Sequence, residues 1–331
     1  MRRAALALVA LAVLASPTLA ETAYPPELGA SGRQGFDRYR ELGFNKAFAA
    51  NREGKWAWQQ QSAKPVSEVV ELVLKACNKD AKSPCAVASV NDIDMRGRDP
   101  LAEPQSDGKP IGPLIPGPYY PIRGPARAEG VFVWSHGVLS GDDNTRHAPQ
   151  GWVNRFRDAG YDVYKFDRRW PDYRKDLGTL IDAVPQLRAL GYRRAILAGQ
   201  SVGAWTSLEA AAKGADVDGV LAAAPARFGK TLGSTSRERN RDELTPVLEA
   251  LMGRALPVVL MYFAEDEYEP GGRGAIAQSI FAKAGRAKPL LIDGPDGIKG
   301  HGGANTTKFV VEYGACLSDF ILAGKRGKPC G

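Results

Sequence analysis

The sequence predicts an α/β protein: a mainly parallel sheet covered by helices on both faces, preceded by a small disulfide-stapled α+β module. Three observations point there. From residue 131 onward, apolar runs of strand length alternate with helix-length amphipathic stretches for about 190 residues, the pattern that strand–crossover–strand units produce. A proline- and glycine-rich stretch at 96–130 separates this region from one of different texture. The four cysteines fall as two local pairs, one in each region.

The chain opens with MRRAALALVALAVLASPTLA, two arginines ahead of an apolar run that ends in small residues at Ala20. That order is the one a secretory signal has, and the run is shorter than the roughly 20 apolar residues a bilayer span needs. Residues 1–20 are therefore expected to be a signal peptide, with a retained anchor as the rival reading. The expectation is export to a bacterial periplasm or the medium, with no membrane span left after cleavage. The formal net charge is +7, and Arg2 and Arg3 leave with the leader. Basic clusters such as RRWPDYRK (168–175) and SRERNRDEL (236–244) are interleaved with acids. Such mixing reads as a solvated face and argues against a nucleic-acid partner.

Residues 33–95 read as the small module. KAFAAN (46–51) and KWAWQQQ (55–61) flank REG as a hairpin, and CAVASVND (85–92) is a third strand. Between them, PVSEVVELVLKACN places Val66, Val69, Val70, Val73 and Leu74 on one helical face. Cys77 ends that helix and Cys85 opens the next strand. In an exported chain the even cysteine count and the sequence proximity favour Cys77–Cys85 and Cys316–Cys330 as disulfides. Metal ligation is the rival, disfavoured by the absence of CxxC spacing and of a nearby histidine. Trp56 and Trp58 share one face of a strand, which reads as core, with a carbohydrate or cell-wall platform as the alternative.

Residues 96–125 read as a connector rather than a folded element. The second domain spans 126–331. Its predicted strands are VFVWS (131–135), YDVYKFD (161–167), RRAILAG (193–199), VDGVLAAAP (217–225), LPVVLMYFAE (256–265) and PLLIDGP (289–295). Helices are predicted in 152–160, 176–191, 204–214, 275–285 and 306–324, with a helical insert near 241–254. A sheet of this kind gathers its chemistry at the carboxyl ends of its strands.

One such end carries GQSVG (199–203), between the strand RRAILAG and an alanine-rich helix. Glycine at 199 and 203 implies a turn too tight for a Cβ at either flank. A strand–turn–helix context makes this pattern a nucleophile elbow that presents Ser201 at the sheet edge. Serine needs a base, and the base needs an orienting group. The chain holds three histidines, His136, His147 and His301. His301, in the glycine-rich loop between the last strand and the last helix, is the expected base. Four acids, Glu265, Asp266, Glu267 and Glu269, lie just past the strand that ends near Ala264. Asp266 is the expected triad acid, because its short side chain suits a fixed loop contact; Glu265 and Glu267 remain alternatives. Acyl transfer also needs two N–H groups aimed at the developing oxyanion. Val202, directly after the nucleophile, and Val138, in the loop SHGV after the first core strand, are expected to supply them. His136 then shapes that loop.

The SHG, GQSVG, AEDEYEP and GHGG stretches, in that order, resemble the oxyanion loop, nucleophile, acid and base of the α/β-hydrolase superfamily. The resemblance covers about 126–325 and is greatest to compact esterase and dienelactone-hydrolase-like members, because only 227–255 intervenes before the acid-bearing strand. Dienelactone-type enzymes use a cysteine nucleophile, and Ser201 in its place favours general ester hydrolysis. The resemblance implies an α/β-hydrolase fold and a serine hydrolase acting on a small-molecule ester, without metal or organic cofactor; the leader adds export. A peptidase or thioesterase with the same triad, or a non-catalytic binding protein on this fold, are the alternatives.

Other patterns carry less. GKT (229–231) lacks the glycine a phosphate-binding loop requires, since Ala224 stands there. Asp142 and Asp143 read as a polar loop near the site mouth rather than a cation site. Trp152, Trp170 and Trp205 read as packing.

Overall fold

A computed structural model describes residues 24–61, 64–101, 108–117, 120–138, 148–168, 172–229, 234–268 and 271–330. The expected leader, together with Asp142, Asp143, His147 and Trp170, lies outside them. The N-terminal module contains α1 (Ala30–Glu41), β1 (Lys46–Ala50), β2 (Trp56–Gln60), α2 (Val66–Asn78), β3 (Ala86–Val90) and β4 (Ile93–Asp94). Its strands form an antiparallel sheet in the order β2-β1-β3-β4. The expected face of α2 is the one buried, through Val66, Val69, Val70 and Val73. The Cys77–Cys85 disulfide joins the end of α2 to the start of β3.

The helix α1 lies outside the sequence expectation. Its segment, ASGRQGFDRYRE, contains two glycines and little apolar surface. Both glycines serve close packing: a Cβ at Gly35 would lie 2.4 Å from the Trp56 ring. Trp56 in turn stacks on Phe48, with centroids 5.9 Å apart and planes 7° from parallel. Trp56 and Trp58 thus pack against the module's own core.

The large sheet contains β5 (Leu114–Pro116), β6 (Gly130–Ser135), β7 (Tyr161–Phe166), β8 (Ala195–Gln200), β9 (Gly219–Ala223), β10 (Pro257–Tyr262) and β11 (Lys288–Asp293). Their order is β11-β10-β9-β8-β6-β7-β5. All neighbours are parallel except β5, which runs antiparallel to β7. The expectation of an unstructured connector at 96–125 is corrected here, because β5 lies within it. Pro116 is accommodated because β5 is an edge strand, where a missing N–H need break no ladder. Farther on, the N–H groups of Arg123 and Gly124 donate to the two carboxylate oxygens of Asp162 at 2.7 and 2.9 Å. Asp162 is buried on β7, so this part of the connector is pinned to the sheet.

Helices cover both faces, and the strands alternate between them with period two. Val131 and Val133 join one core with α4 (Tyr173–Ala189), α5 (Val202–Ala212), α7 (Leu244–Met252) and α8 (Arg273–Ala282). Phe132 and Trp134 join the other with α3 (Asn154–Asp158) and α9 (Thr307–Ala323). Phe44 and the valine face of α2 belong to this second core, so the module is packed onto the sheet's second layer. The remaining helix, α6 (Ser234–Asp242), leads into α7. Cys316–Cys330 ties the tail to α9.

Polar contacts frame the module's seat. Arg155 pairs with Glu41 at 2.7 Å, and Arg157 with Asp92 at 2.9 Å. Lys46, fully buried, reaches Asp92 at 2.8 Å and donates to the carbonyls of Tyr39 and Arg40. Burial pushes the Lys46 ammonium down to about 8, against the opposing pull of Asp92. Burial works against ionising Asp92, yet Lys46 and Arg157 hold its carboxyl below the usual range. Among the described residues, no helix is long and apolar enough to cross a membrane.

Candidate active site

In the turn between β8 and α5, main chain packs closely on main chain. Ser201 adopts φ 57° and ψ −124°, a region that costs a non-glycine residue on the order of 1–3 kcal/mol. Neighbouring backbone holds it there. The Ser201 N–H donates to the Ala223 carbonyl of β9, and its carbonyl accepts from Trp205 N–H, both at 3.0 Å. A Cβ at Gly203 would lie 2.1 Å from the Ser135 carbonyl oxygen, and one at Gly199 would lie 2.4 Å from the Gly203 carbonyl carbon. These obstacles are main-chain atoms, which cannot swing aside. The two glycines therefore let the end of β6 lie directly against the elbow.

The loop after β6 continues across it. A Cβ at Gly137 would meet Gln200 Oε1 at 2.1 Å and Ser201 Cβ at 3.2 Å. His136 is buried, and its Nδ1 lies 2.9 Å from the Gly137 carbonyl. Val138 follows, half-buried against the core beneath α5. Val202 opens α5, and a first-turn N–H has no intrahelical acceptor.

His301 and Asp266 are brought together by a small extension of the sheet. Ala264, just beyond β10, forms a parallel bridge with Lys299, and the Gly300 N–H donates to the Ala264 carbonyl at 2.7 Å. The residues after each of these points are then neighbours. His301 Nδ1 lies 3.0 Å from both oxygens of Asp266. A carboxylate only accepts, so the proton of a neutral ring sits on Nδ1 and Nε2 is left with a lone pair. Nε2 is buried and has no hydrogen-bond partner among the described residues. Gln200, the residue before Ser201, donates from Nε2 to the His301 carbonyl at 3.3 Å. That bond ties the histidine loop to the elbow.

Of the alternative acids, Glu265 turns to solvent and pairs with Lys299 at 2.6 Å; Glu267 is exposed and Glu269 lies outside the described residues. Two neighbours escaped sequence reasoning. Tyr268 packs its ring on His301 and donates its N–H to Asp266 Oδ1 at 2.9 Å. Asn240, fully buried on α6, accepts from the N–H groups of Arg227 and Phe228 and donates to the Phe228 and Tyr268 carbonyls. Asn240 sits in a polar, charge-rich helix, and nothing local marks it as different from its neighbours.

Two cavities lie elsewhere. One of about 720 Å³ is lined by residues of the N-terminal module and the segment 95–100, and one of about 600 Å³ lies beside α4 and α5. Ser201, Asp266 and His301 line neither. Among the described residues there is no cluster of histidine, cysteine and acidic side chains able to hold a metal ion.

Strand order, the antiparallel edge strand and the helices on both faces define an α/β fold built on a mostly parallel seven-stranded sheet. No family model matches the chain, and no curated protein matches it. Solved structures do. An acylaminoacyl peptidase of Pyrococcus horikoshii is similar at 12% identity and a TM-score of 0.43, over 59% of this chain and 37% of the peptidase. An esterase of Pyrococcus furiosus is similar at 17% identity and 0.43, over 59% and 80% of the two chains. A truncated carbohydrate esterase from gut microbiota is similar at 14% identity and 0.45, over 59% and 87%. At these identities and scores the likenesses add nothing to the strand order and the helix layers, which carry the fold assignment by themselves.

Proposed function

We propose that the protein is an exported serine hydrolase that cleaves small carboxylic esters through an acyl-enzyme. The observation that carries this reading is His301, whose Nδ1 is held by both oxygens of Asp266 while its buried Nε2 has no hydrogen-bond partner among the described residues.

In the proposed reaction Nε2 takes the Ser201 hydroxyl proton as Oγ attacks the ester carbonyl. Asp266 keeps the imidazole in the required tautomer and balances the imidazolium that forms. Negative charge on the carbonyl oxygen is met by the N–H groups of Val138 and Val202, in the role of an oxyanion hole. Collapse of the intermediate expels the alcohol, which takes the proton from Nε2. Water then attacks the acyl-Ser201 ester by the same sequence and releases the acid. No step calls for a metal or organic cofactor. The two disulfides support work in an oxidising compartment, periplasmic or external.

The test is hydrolysis of p-nitrophenyl esters of increasing acyl length by the mature protein and by Ser201→Ala. Turnover is expected to fall by about four to six orders of magnitude in the variant. Turnover that survives the substitution would reject Ser201 as nucleophile. Fluorophosphonate labelling without oxygen-ester turnover would move the substrate to thioesters or amides.

A further inference from the structure

Tyr268 touches both supporting members of the proposed triad. Its ring lies 4.3 Å from the His301 imidazole, centroid to centroid, with planes 47° apart. Its N–H donates to Asp266 Oδ1 at 2.9 Å, and its carbonyl accepts from the buried Asn240 side chain at 3.4 Å. The backbone is thereby fixed on both sides of the ring. Yet Tyr268 belongs to none of the three apolar cores.

We infer that Tyr268 is a positioning residue that stabilises the His301 imidazolium through its aromatic face. The inference rests on the reading of His301 as the base. A cation within about 6 Å of a ring centroid is attracted by the ring's quadrupole. The imidazole is neutral before attack and cationic in the transition states on either side of the acyl-enzyme. The ring therefore favours the transition state over the resting state, which is the condition for a rate gain. For a partly buried pair that gain is about threefold to thirtyfold.

The charged groups around the imidazole leave this role open. Asp266 meets the imidazole at Nδ1, through both carboxylate oxygens. Glu265 and Lys299, on the two adjoining segments, pair with each other at 2.6 Å in solvent. Glu267 stands exposed on the same loop as Tyr268. Gln200, the contact from the elbow, is neutral and reaches the His301 backbone rather than the ring.

The experiment replaces Tyr268 in the full-length protein with phenylalanine and then with mono-, di- and trifluorinated phenylalanine. Successive fluorines drain the quadrupole and keep the shape. The readouts are kcat and KM on a p-nitrophenyl ester and the second-order rate of fluorophosphonate inactivation. Tyr268→Phe is expected within about twofold of wild type, with kcat and inactivation rate falling stepwise to about one-tenth at three fluorines and KM constant. Unfolding midpoints should not move along the series. A merely structural ring would give a flat series, and a flat series in a protein that still labels would overturn the inference alone. Wild-type protein that neither turns over nor labels would overturn the reading of the triad, and the inference with it.

Discussion

The carboxyl edge of the large sheet and the seat of the N-terminal module are built by different means. At the edge, main chain presses on main chain: β6 lies against Gly199 and Gly203, and Ser201 is held at φ 57° between them. At the seat, backbone meets backbone where Gly43 lies against Gly151, and charged side chains add to the joining. Lys46, Asp92 and Arg157 form one charged group there, Glu41 and Arg155 another, and the module itself is stapled by Cys77–Cys85. A backbone contact tolerates almost no change. A side-chain contact can be loosened and leave the fold in place. The edge is thus where the molecule stores geometric precision, and the seat is where its stability can be adjusted.

The largest expected effect breaks the edge. Gly203→Ala puts a methyl about 2 Å from the Ser135 carbonyl oxygen, and neither backbone can retreat without moving a strand. The variant is expected to lose more than about 4 kcal/mol of stability and essentially all of the proposed hydrolysis. Denaturant unfolding alongside an activity assay checks it; a stable, active variant would show that the close approach is not required.

A smaller effect sharpens the view of the seat. Folded Lys46 releases its proton near pH 8, pushed there by burial, whereas the unfolded side chain holds it to about 10.4. Between these values the unfolded state binds more protons, so the Lys46 contribution to stability rises with pH. Wild-type stability minus that of Lys46→Met is expected to grow by about 3 kcal/mol across that window. Asp92 has a dependence of the same sign in a more acidic window. Its depressed value contributes stability above the ordinary carboxylate range that is lost on acidification through that range. Unfolding curves of both proteins from pH 3 to 10.5 measure the two slopes, and parallel curves above pH 8 would reject the Lys46 assignment.

Smaller again is removal of the module's staple. The disulfide closes a loop with a sequence separation of 8, and Cys77→Ala with Cys85→Ala is expected to cost about 2.5 kcal/mol. Activity at 25 °C should be unchanged, because the staple does not touch the sheet edge. A loss of kcat without a loss of stability would mean that the module takes part in the chemistry.

The same contrast explains what the sequence makes legible. The elbow could be read because its constraint is local: two glycines, each two residues from Ser201, at the end of an apolar strand. The choice among Glu265, Asp266 and Glu267 could not, because the bridge of Ala264 to Lys299 decides which acid faces His301, and those residues are far apart in the chain. β5 was hidden by Pro116 within it and Pro113 before it, and α1 by glycines that serve Trp56 rather than the helix. The seat was invisible for the same reason as the acid: Arg157 meets Asp92 across 65 residues, and Arg155 meets Glu41 across 114. Tyr268 and Asn240 carry no local signal that distinguishes them from surface residues.

The most direct test of Ser201 as nucleophile is to treat the folded protein with a fluorophosphonate and map the adduct by peptide mass. One adduct is expected, on Ser201, formed far more slowly in His301→Gln and absent in Ser201→Ala. An adduct on another residue, or none on a protein shown to be folded, would contradict it.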